Sequence, residues 1–326
     1  MDELISVICL TYNSDVTKTL TTLNSVIKQK NCDFELIIAD DGSKENNVDV
    51  IEKFFKSNNF VNYKIRANKI NQGIIGNYLS AIELAKGKYI KYISPGDYLY
   101  DEFTLRKCLG FMSQYHAELA FGKAVYYSNE NNKLEILTRK NPVLTEVYDA
   151  NKKDYDFDVV LKNLILWQDG ILGAAVIADR LVFEKYLREI FGKVKYIEDN
   201  TIMPLATLDK KRIYFFDEYI LWYECDSGIS TNSNRGFKET IYLDFLKCYE
   251  YLLEKDCKNR IIKLAYLKQK YSVQKKRFLL FFVNKISDVI YGRLAYKYHR
   301  HKNKVKYVLE VYSKENWYKW QDVDWR

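Results

Sequence analysis

The chain contains 326 residues, of which 48% are hydrophobic and 29% charged, and its formal net charge is +8. This length predicts one large domain with an appendage, and the composition is typical of a globular protein rather than a disordered one. The six cysteines show no C-x-x-C spacing, no apolar run approaches ~20 residues, and no basic segment precedes the first apolar run. We therefore expect no zinc site, no membrane span and no signal peptide, and a reduced, cytoplasmic protein.

The first hundred residues alternate between short apolar runs and amphipathic stretches. Strands are predicted at 5–10, 34–39, 62–67 and 89–93, and helices at 15–28, 48–55 and 76–85. Such alternation with short connections is typical of an α/β fold whose mainly parallel, Rossmann-like sheet is flanked by helices.

Polar residues follow three of these strands at the point where each strand ends. Tyr12 follows the first strand, Asp40 and Asp41 close the second, and Asp97 follows the fourth. In open parallel sheets the ligand lies beyond the carboxyl ends of the strands, so these side chains are expected to share one crevice. The loop after the first strand has no G-x-G-x-x-G pattern, which argues against a dinucleotide cofactor.

The remainder of the chain is less regular. Strands are predicted at 118–127, 133–138, 212–216 and 218–222, and helices at 155–164, 180–191, 201–208, 238–254 and 258–298. A stretch rich in Ser, Asn and Gly at 226–236 indicates a boundary between a domain at 1–235 and a helical C-terminal region at 236–326.

Several segments, taken in order, resemble glycosyltransferase family 2, the large inverting group with the GT-A fold. They are Ser6–Asn13, Ile37–Ser43, Asn71–Gly73 with Asn77, Gly87–Ile90, Ser94–Asp97, Glu198–Asp199 and Ser227–Ser230. The resemblance covers residues 4–230. It implies transfer of a sugar from a nucleotide-sugar, most simply a UDP-sugar, to a saccharide acceptor in surface polysaccharide or glycoconjugate synthesis.

The resemblance assigns the donor to the loops after the strands. Asp41 would accept a hydrogen bond from the imide N–H of uracil or thymine, and Tyr12 would stack on the base, although a turn role for Asp41 and a core-capping role for Tyr12 stay open. The predicted donor contacts are Leu10, Tyr12, Asp40, Asp41, Asn71, Gly73, Asn77, Pro95 and Gly96.

Asp97 is the expected ligand of Mg²⁺ or Mn²⁺, which would neutralise the leaving nucleoside diphosphate. The D-x-D-D motif of the family is here Ser94-Pro95-Gly96-Asp97, so one carboxylate remains of three, and weak metal affinity is expected. The alternative is that this segment is only a tight turn.

The acidic pair Glu198 and Asp199 is expected to be catalytic. Asp199 would be the general base that deprotonates the acceptor hydroxyl, and Glu198 would hold the acceptor or raise the pKa of Asp199. An acidic cap for the following helix is the alternative. The predicted acceptor contacts are Trp167, Gln168 and Asp169, with a core role for Trp167 equally open.

The C-terminal region is strongly basic. Between Arg260 and Lys306 there are fourteen Lys or Arg residues and one acidic residue, Asp288, and the apolar run Phe278–Val283 lies among them. This pattern favours peripheral contact with an anionic membrane and a lipid-linked acceptor, whereas a solvated helical face and a soluble glycan or glycoprotein acceptor are alternatives. Nucleic acid is not expected as a partner. Two other functions stay open: a nucleotide-sugar-binding protein without catalysis, and a membrane-docked scaffold for polysaccharide assembly.

Overall fold

The computed structural model describes residues 3–130, 133–137, 142–225 and 235–312, so the segment Ser227–Ser230 lies outside the described residues. The strands are β1 (Ile5–Thr11), β2 (Phe34–Asp40), β3 (Tyr63–Ala67), β4 (Tyr89–Ile93), β5 (Tyr98–Leu99), β6 (Leu119–Glu130), β7 (Lys133–Leu137), β8 (Val176–Asp179) and β9 (Ile213–Glu224). The helices are α1 (Val16–Ile27), α2 (Val48–Ser57), α3 (Gly73–Ile82), α4 (Thr104–Tyr115), α5 (Phe157–Leu161), α6 (Arg180–Ile190), α7 (Glu198–Leu208), α8 (Arg235–Lys255), α9 (Arg260–Val273), α10 (Arg277–Val283) and α11 (Ser287–Tyr312).

The described strands form one mixed sheet in the order β3-β2-β1-β4-β8-β6-β9-β5, with β7 beside β6. Strands β3, β2, β1 and β4 are parallel to one another, as predicted. Strand β8 pairs antiparallel with β4 and with β6, and β6 pairs parallel with β9. The predicted α/β fold is therefore confirmed, and the parallel pairing predicted for the sheet holds for β3, β2, β1 and β4.

Strands β1, β2 and β4 are buried on both faces of the sheet, which explains why they are continuous apolar runs. In β1, Val7 and Cys9 belong to the core on the α1 side, and Ile8 and Leu10 to the core on the α3 side. Helix α1 begins immediately after β1 because the Asp15 carboxylate accepts a hydrogen bond from Lys18 N at 2.9 Å and caps the helix.

The second half of the sheet differs from the prediction in two places. The predicted strands at 212–216 and 218–222 are one strand, β9, because the exposed pair Asp217 and Glu218 lies beside an irregularity in the pairing with β6 and does not form a turn. Strand β8 and helix α4 were not predicted. Strand β8 has only four residues, too few for a hydrophobic pattern to be recognised.

The C-terminal helices share the core of the sheet domain. Tyr249, Leu252 and Ile262 belong to the same buried cluster as Ile165 and Met203. The predicted single helical stretch at 258–298 is divided into α9, α10 and α11 by short breaks. Among the described residues, no helix is both long and apolar enough to cross a membrane.

Candidate active site

The first predicted donor residues come together where β1 and β2 end side by side. Thr11 Oγ1 donates to the Asp40 carboxylate at 3.1 Å, and Ser43 donates to it through both N (2.9 Å) and Oγ (2.5 Å). Asp40 is buried, and its carboxylate links the end of β1 to the loop that follows β2. Tyr12, on the neighbouring loop, is 51% exposed and presents its ring to solvent.

Asp41 joins the end of β2 to the start of α3. Its two oxygens accept hydrogen bonds from Gln72 N at 2.8 Å and Gly73 N at 2.9 Å. Burial raises the pKa of Asp41, and these backbone hydrogen bonds oppose the increase. Gly42 has a positive φ, and any side chain there would overlap the backbone of Asn71. The loop that carries Asn71 therefore lies directly against the Asp41-Gly42 turn.

Two other predicted donor residues lie beneath this loop. Asn77 is buried and donates to Ala39 O at 2.9 Å, while its oxygen accepts from Asn68 at 3.1 Å. Leu10 is a buried residue of the core. The buried side chains of Asn77 and Leu10 therefore support the backbone of the predicted donor loops from the core.

The loop after β4 is held rigidly by its neighbours. Gly96 N donates to Thr22 Oγ1 at 3.0 Å, and the Tyr127 hydroxyl donates to Gly96 O. Asp97 is buried and accepts a hydrogen bond from Glu224 N at 3.1 Å. The loop that carries Pro95 is thus fixed between α1, β6 and β9.

The charges around Asp97 are already balanced. Burial raises the pKa of Asp97 to about 7, and the charge of the buried Lys91, whose own pKa burial lowers to about 8, opposes that increase. The other carboxylate, Glu224, contacts Lys18 Nζ through both oxygens at 2.7 Å. Without the phosphate oxygens of a bound donor, these residues do not supply the excess of negative oxygen ligands that a divalent cation prefers. Within the described residues, no three His, Cys, Asp or Glu side chains converge on one point.

The acidic pair lies in the first turn of α7, where the partial positive charge of a helix N-terminus favours carboxylates. Asp199 Oδ1 accepts from Asn200 N and Nδ2, each at 2.7 Å, and Oδ2 accepts from Gly173 N at 3.0 Å. A side chain at position 173 would meet both Tyr92 Oη and Asp199 Oδ2. Asp199 and Tyr92 of β4 are therefore neighbours on either side of Gly173, and Tyr92 lies two residues before the predicted donor loop.

The two carboxylates of the pair differ in exposure. Glu198 is 6% exposed, and its Oε2 has no hydrogen-bond partner among the described residues, whereas Asp199 is partly exposed. Burial and the charge of Asp199 raise the pKa of Glu198 well above its ordinary value, and burial also raises that of Asp199. Asp199 is thus the more accessible carboxylate of the pair, and the buried Glu198 behind it binds a proton more readily.

The loop that leads into α7 is held by the C-terminal region. Asp244 of α8 is buried, and its carboxylate accepts hydrogen bonds from Lys195 N at 2.9 Å and Tyr196 N at 2.8 Å. Two residues separate Tyr196 from Asp199 in sequence. Helix α8 therefore fixes the position from which the acidic pair is presented.

The predicted acceptor residues are bound within the protein. Asp169 is fully buried and accepts from Val143 N and Leu144 N, each at 2.8 Å. Trp167 Nε1 donates to Asp288 O at 2.9 Å, so its indole packs against α11. Gln168 adopts a positive φ of 60° between them. Trp167 and Asp169 thus have partners within the protein, and a Cβ at the next residue, Gly170, would meet the side chain of Asn200, which donates to Asp199.

Four further residues shape the site and were not predicted from the sequence: Lys18, Tyr92, Gly173 and Asp244. Tyr92 and Gly173 lie in apolar surroundings, and Lys18 and Asp244 lie in ordinary surface-like helical patterns. Only the fold brings them to the crevice, so no local signal could have identified them.

Comparison with known proteins agrees with this geometry. The sequence profile of glycosyl transferase family 2 matches residues 6–169. The chain is 28% identical over 140 residues to an uncharacterized glycosyltransferase of Haemophilus influenzae, covering 43% of this chain and 54% of that protein. It is 31% identical over 118 residues to the poly(ribitol-phosphate) beta-N-acetylglucosaminyltransferase TarS of Staphylococcus aureus, covering 35% of this chain and 20% of TarS. The chain thus spans only part of the length of these curated relatives.

A solved structure shares the fold over almost the whole chain. Residues 1–349 of S. aureus TarS, in complex with UDP-GlcNAc, superpose with a TM-score of 0.57 at 20% identity, covering 97% of this chain and 93% of that one. The similarity therefore includes the C-terminal helices as well as the sheet.

Proposed function

This chain belongs to glycosyl transferase family 2, and from that premise we propose that it transfers a sugar, with inversion, from a UDP-sugar to a hydroxyl group of a saccharide acceptor. The observation that carries the proposal is the position of Asp199. Its carboxylate is partly exposed and is oriented by hydrogen bonds from Gly173 and Asn200. A Cβ at Gly173 would meet both Asp199 and Tyr92 of β4, the strand that leads into the predicted donor loop. A base in this position can act on an acceptor that approaches the donor from the opposite side.

In the proposed step, the acceptor hydroxyl oxygen forms a bond to the anomeric carbon while its proton passes to the Asp199 carboxylate. The bond between the anomeric carbon and the diphosphate breaks, and its electron pair leaves with the nucleoside diphosphate. Such a base contributes about 10²–10⁴-fold to the rate. Burial raises the pKa of Asp199, which increases its proton affinity as a base.

The UDP moiety is supported by the donor end of the crevice and by the solved relative. The exposed ring of Tyr12 and the Asp41 turn lie at the ends of neighbouring strands. A nucleotide base can stack on the Tyr12 ring there and form hydrogen bonds along its edge near Asp41. The TarS structure contains UDP-GlcNAc. Neither observation selects the sugar, so we propose the nucleotide class only.

A donor screen tests the proposal. Release of UDP, GDP or dTDP from the corresponding sugar nucleotides is measured with the full-length protein, with and without saccharide acceptors. We expect turnover with a UDP-sugar and its loss in Asp199→Asn with UDP binding retained. Binding of UDP with no turnover of any donor or acceptor would instead favour a nucleotide-sugar-binding protein without catalysis.

We further propose that the protein works at an anionic membrane surface on a lipid-linked saccharide. Helix α10 exposes Phe278 (73%), Phe281 (56%) and Phe282 (54%), an arrangement that costs free energy in water. On α11, Tyr291 and Leu294 are also exposed. The α10–α11 surface is defined by these five residues.

Basic residues surround the α10–α11 surface. Lys275, Lys276, Arg277 and Lys285 flank α10, and the only acidic residue from 260 to 301, Asp288, is paired with Lys162 at 3.2 Å. Near an anionic leaflet each basic residue contributes about 1 kcal/mol to the free energy of membrane binding, so the charge and the apolar area both favour a membrane. A bilayer of anionic lipids is therefore the partner that this surface fits.

Vesicle co-sedimentation tests this location. We expect binding to phosphatidylglycerol vesicles at low salt, weaker binding as salt rises, and no binding to phosphatidylcholine vesicles. Replacing Lys275, Lys276, Arg277 and Lys285 with Gln should abolish binding. As a matched control, replacing four exposed lysines elsewhere with Gln should preserve it: Lys28, Lys53, Lys56 and Lys86. Wild-type protein that stays in the supernatant at low salt, or that instead dimerises through this surface, would contradict the proposal.

A further inference from the structure

Lys18 lies between the two loops that are predicted to hold the donor. It is in the first turn of α1, directly after the β1 loop that carries Tyr12, and its Nζ contacts both oxygens of Glu224 at 2.7 Å. The Lys18 side chain is 39% exposed, while that of Glu224 is 6% exposed. One side of the ammonium group thus faces a buried carboxylate, and the other side remains open to solvent.

Glu224 occupies space next to Gly96 in the β4 loop. Gly96 has a φ of 98°, and a Cβ built on it would overlap the Glu224 carboxylate. Position 96 is one of the places where the D-x-D-D motif of the resembled family carries a carboxylate. The Glu224 carboxylate of β9 therefore lies beside position 96, and the Lys18 ammonium group contacts that carboxylate.

The pairing leaves no excess negative charge for a divalent cation. Glu224 is matched by Lys18, and Asp97 is buried near the ammonium group of Lys91 and accepts Glu224 N. Lys91 is itself fully buried and donates to Tyr92 O at 2.8 Å, so it cannot move to the crevice. Of these two ammonium groups, only that of Lys18 can reach a bound ligand.

We propose that Lys18, and not a divalent metal ion, contacts the diphosphate of the nucleotide-sugar in this enzyme. The inference rests on the proposed UDP-sugar donor. An ammonium group has three N–H donors, so it can keep its hydrogen bonds to Glu224 and still donate to a phosphate oxygen. As the bond to the anomeric carbon breaks, negative charge grows on the leaving diphosphate, and Lys18 stabilises it there.

Calorimetric titration with UDP tests the role of Lys18 without requiring turnover. We expect the wild-type protein to bind UDP equally well in EDTA and in Mn²⁺. Lys18→Gln should weaken binding by about tenfold or more, because a hydrogen bond to a charged group is lost, and Mn²⁺ should not restore it. Lys28→Gln, on an exposed residue at the other end of α1, is the matched control and should bind normally.

Glu224→Gln separates the two ways of holding the diphosphate. If Lys18 is the contact, this variant keeps the ammonium group, loses a competing carboxylate, and binds UDP at least as tightly as the wild type. If Glu224 is instead a metal ligand, the variant loses Mn²⁺-dependent UDP binding. UDP affinity that disappears in EDTA and returns with Mn²⁺, or that is unchanged in Lys18→Gln, overturns the proposal. Absence of UDP binding by the wild type under every condition would instead reject the proposed donor.

Discussion

Asp244 offers the sharpest test of how the acidic pair is positioned, because it lies on a C-terminal helix and outside the span matched by the family profile. Its carboxylate accepts from Lys195 N and Tyr196 N. A hydrogen bond to a charged group contributes about 1.5–3 kcal/mol, so Asp244→Ala should lower the free energy of unfolding by about 3–6 kcal/mol. Asp244→Asn keeps one acceptor oxygen and should cost about half as much.

The effect of Asp244→Asn on catalysis should exceed its effect on binding. A displacement of about 1 Å in a reacting group can cost about 10²-fold in rate, so we expect kcat to fall by about 10–100-fold, with the KM for the donor unchanged. The charge of Asp244 contributes to the raised pKa of Glu198. Its removal should lower that pKa and move the pH dependence of stability that Glu198 sets to lower pH.

Thermal unfolding and steady-state kinetics over a pH series would measure these effects. Asp209→Asn is the matched control, since Asp209 closes the other end of α7 and its carboxylate accepts from the side chains of Lys185 and Tyr186. It should leave kcat unchanged. A wild-type kcat and an unshifted pH profile in Asp244→Asn would refute the reasoning that α8 positions the acidic pair.

Three further outcomes are expected from the acidic pair and its surroundings. Asp199→Asn should reduce kcat by at least ~10²-fold and keep UDP affinity, as measured by turnover and calorimetry, and near-normal turnover would remove Asp199 as the base. Gly173→Ala should lower both kcat and the melting temperature, because the new methyl group overlaps Tyr92 and Asp199. A normal kcat would show that these two side chains can move aside without affecting catalysis. Because the pKa of Glu198 is raised above 4.5 in the native state, native protein binds protons more tightly than the unfolded chain, so stability should fall as pH rises from 4.5 through the native pKa. Glu198→Gln should flatten that slope in chemical denaturation, and an unchanged slope would contradict the raised pKa.

The donor half of the crevice could be predicted from the sequence, because each of its strands is a continuous apolar run that ends at a polar turn. The strand ends at Thr11 and Asp40 lie side by side in register, as the β-α alternation requires. The loop positions then follow from the rule that parallel strands present their carboxyl ends on one edge.

The acceptor half could not be predicted in the same way, because its contacts join residues far apart in the chain. Trp167 was expected either to contact an acceptor sugar or to lie in the core, and its indole donates to Asp288 O, 121 residues later. Asp169 was expected to meet a sugar, yet backbone N–H groups of Val143 and Leu144 surround it. A local pattern shows that such a residue is polar or aromatic, but it does not show which partner the fold supplies.

The division between the two halves also explains why the C-terminal helices matter for catalysis. The family profile ends at residue 169, before Gly173, Asp199 and Asp244, which orient or supply the proposed base. The donor loops are built from the first half of the sheet, whereas the base depends on α7 and on the α8 helix that holds its loop. Since α8 and α9 are buried against the same core as the sheet, removing them would expose apolar surface and release the acidic pair together. Removing only the basic, exposed surface of α10 and α11 by substitution should leave that pair in place. Loss of membrane binding and loss of the base are therefore separable by point substitution but not by truncation.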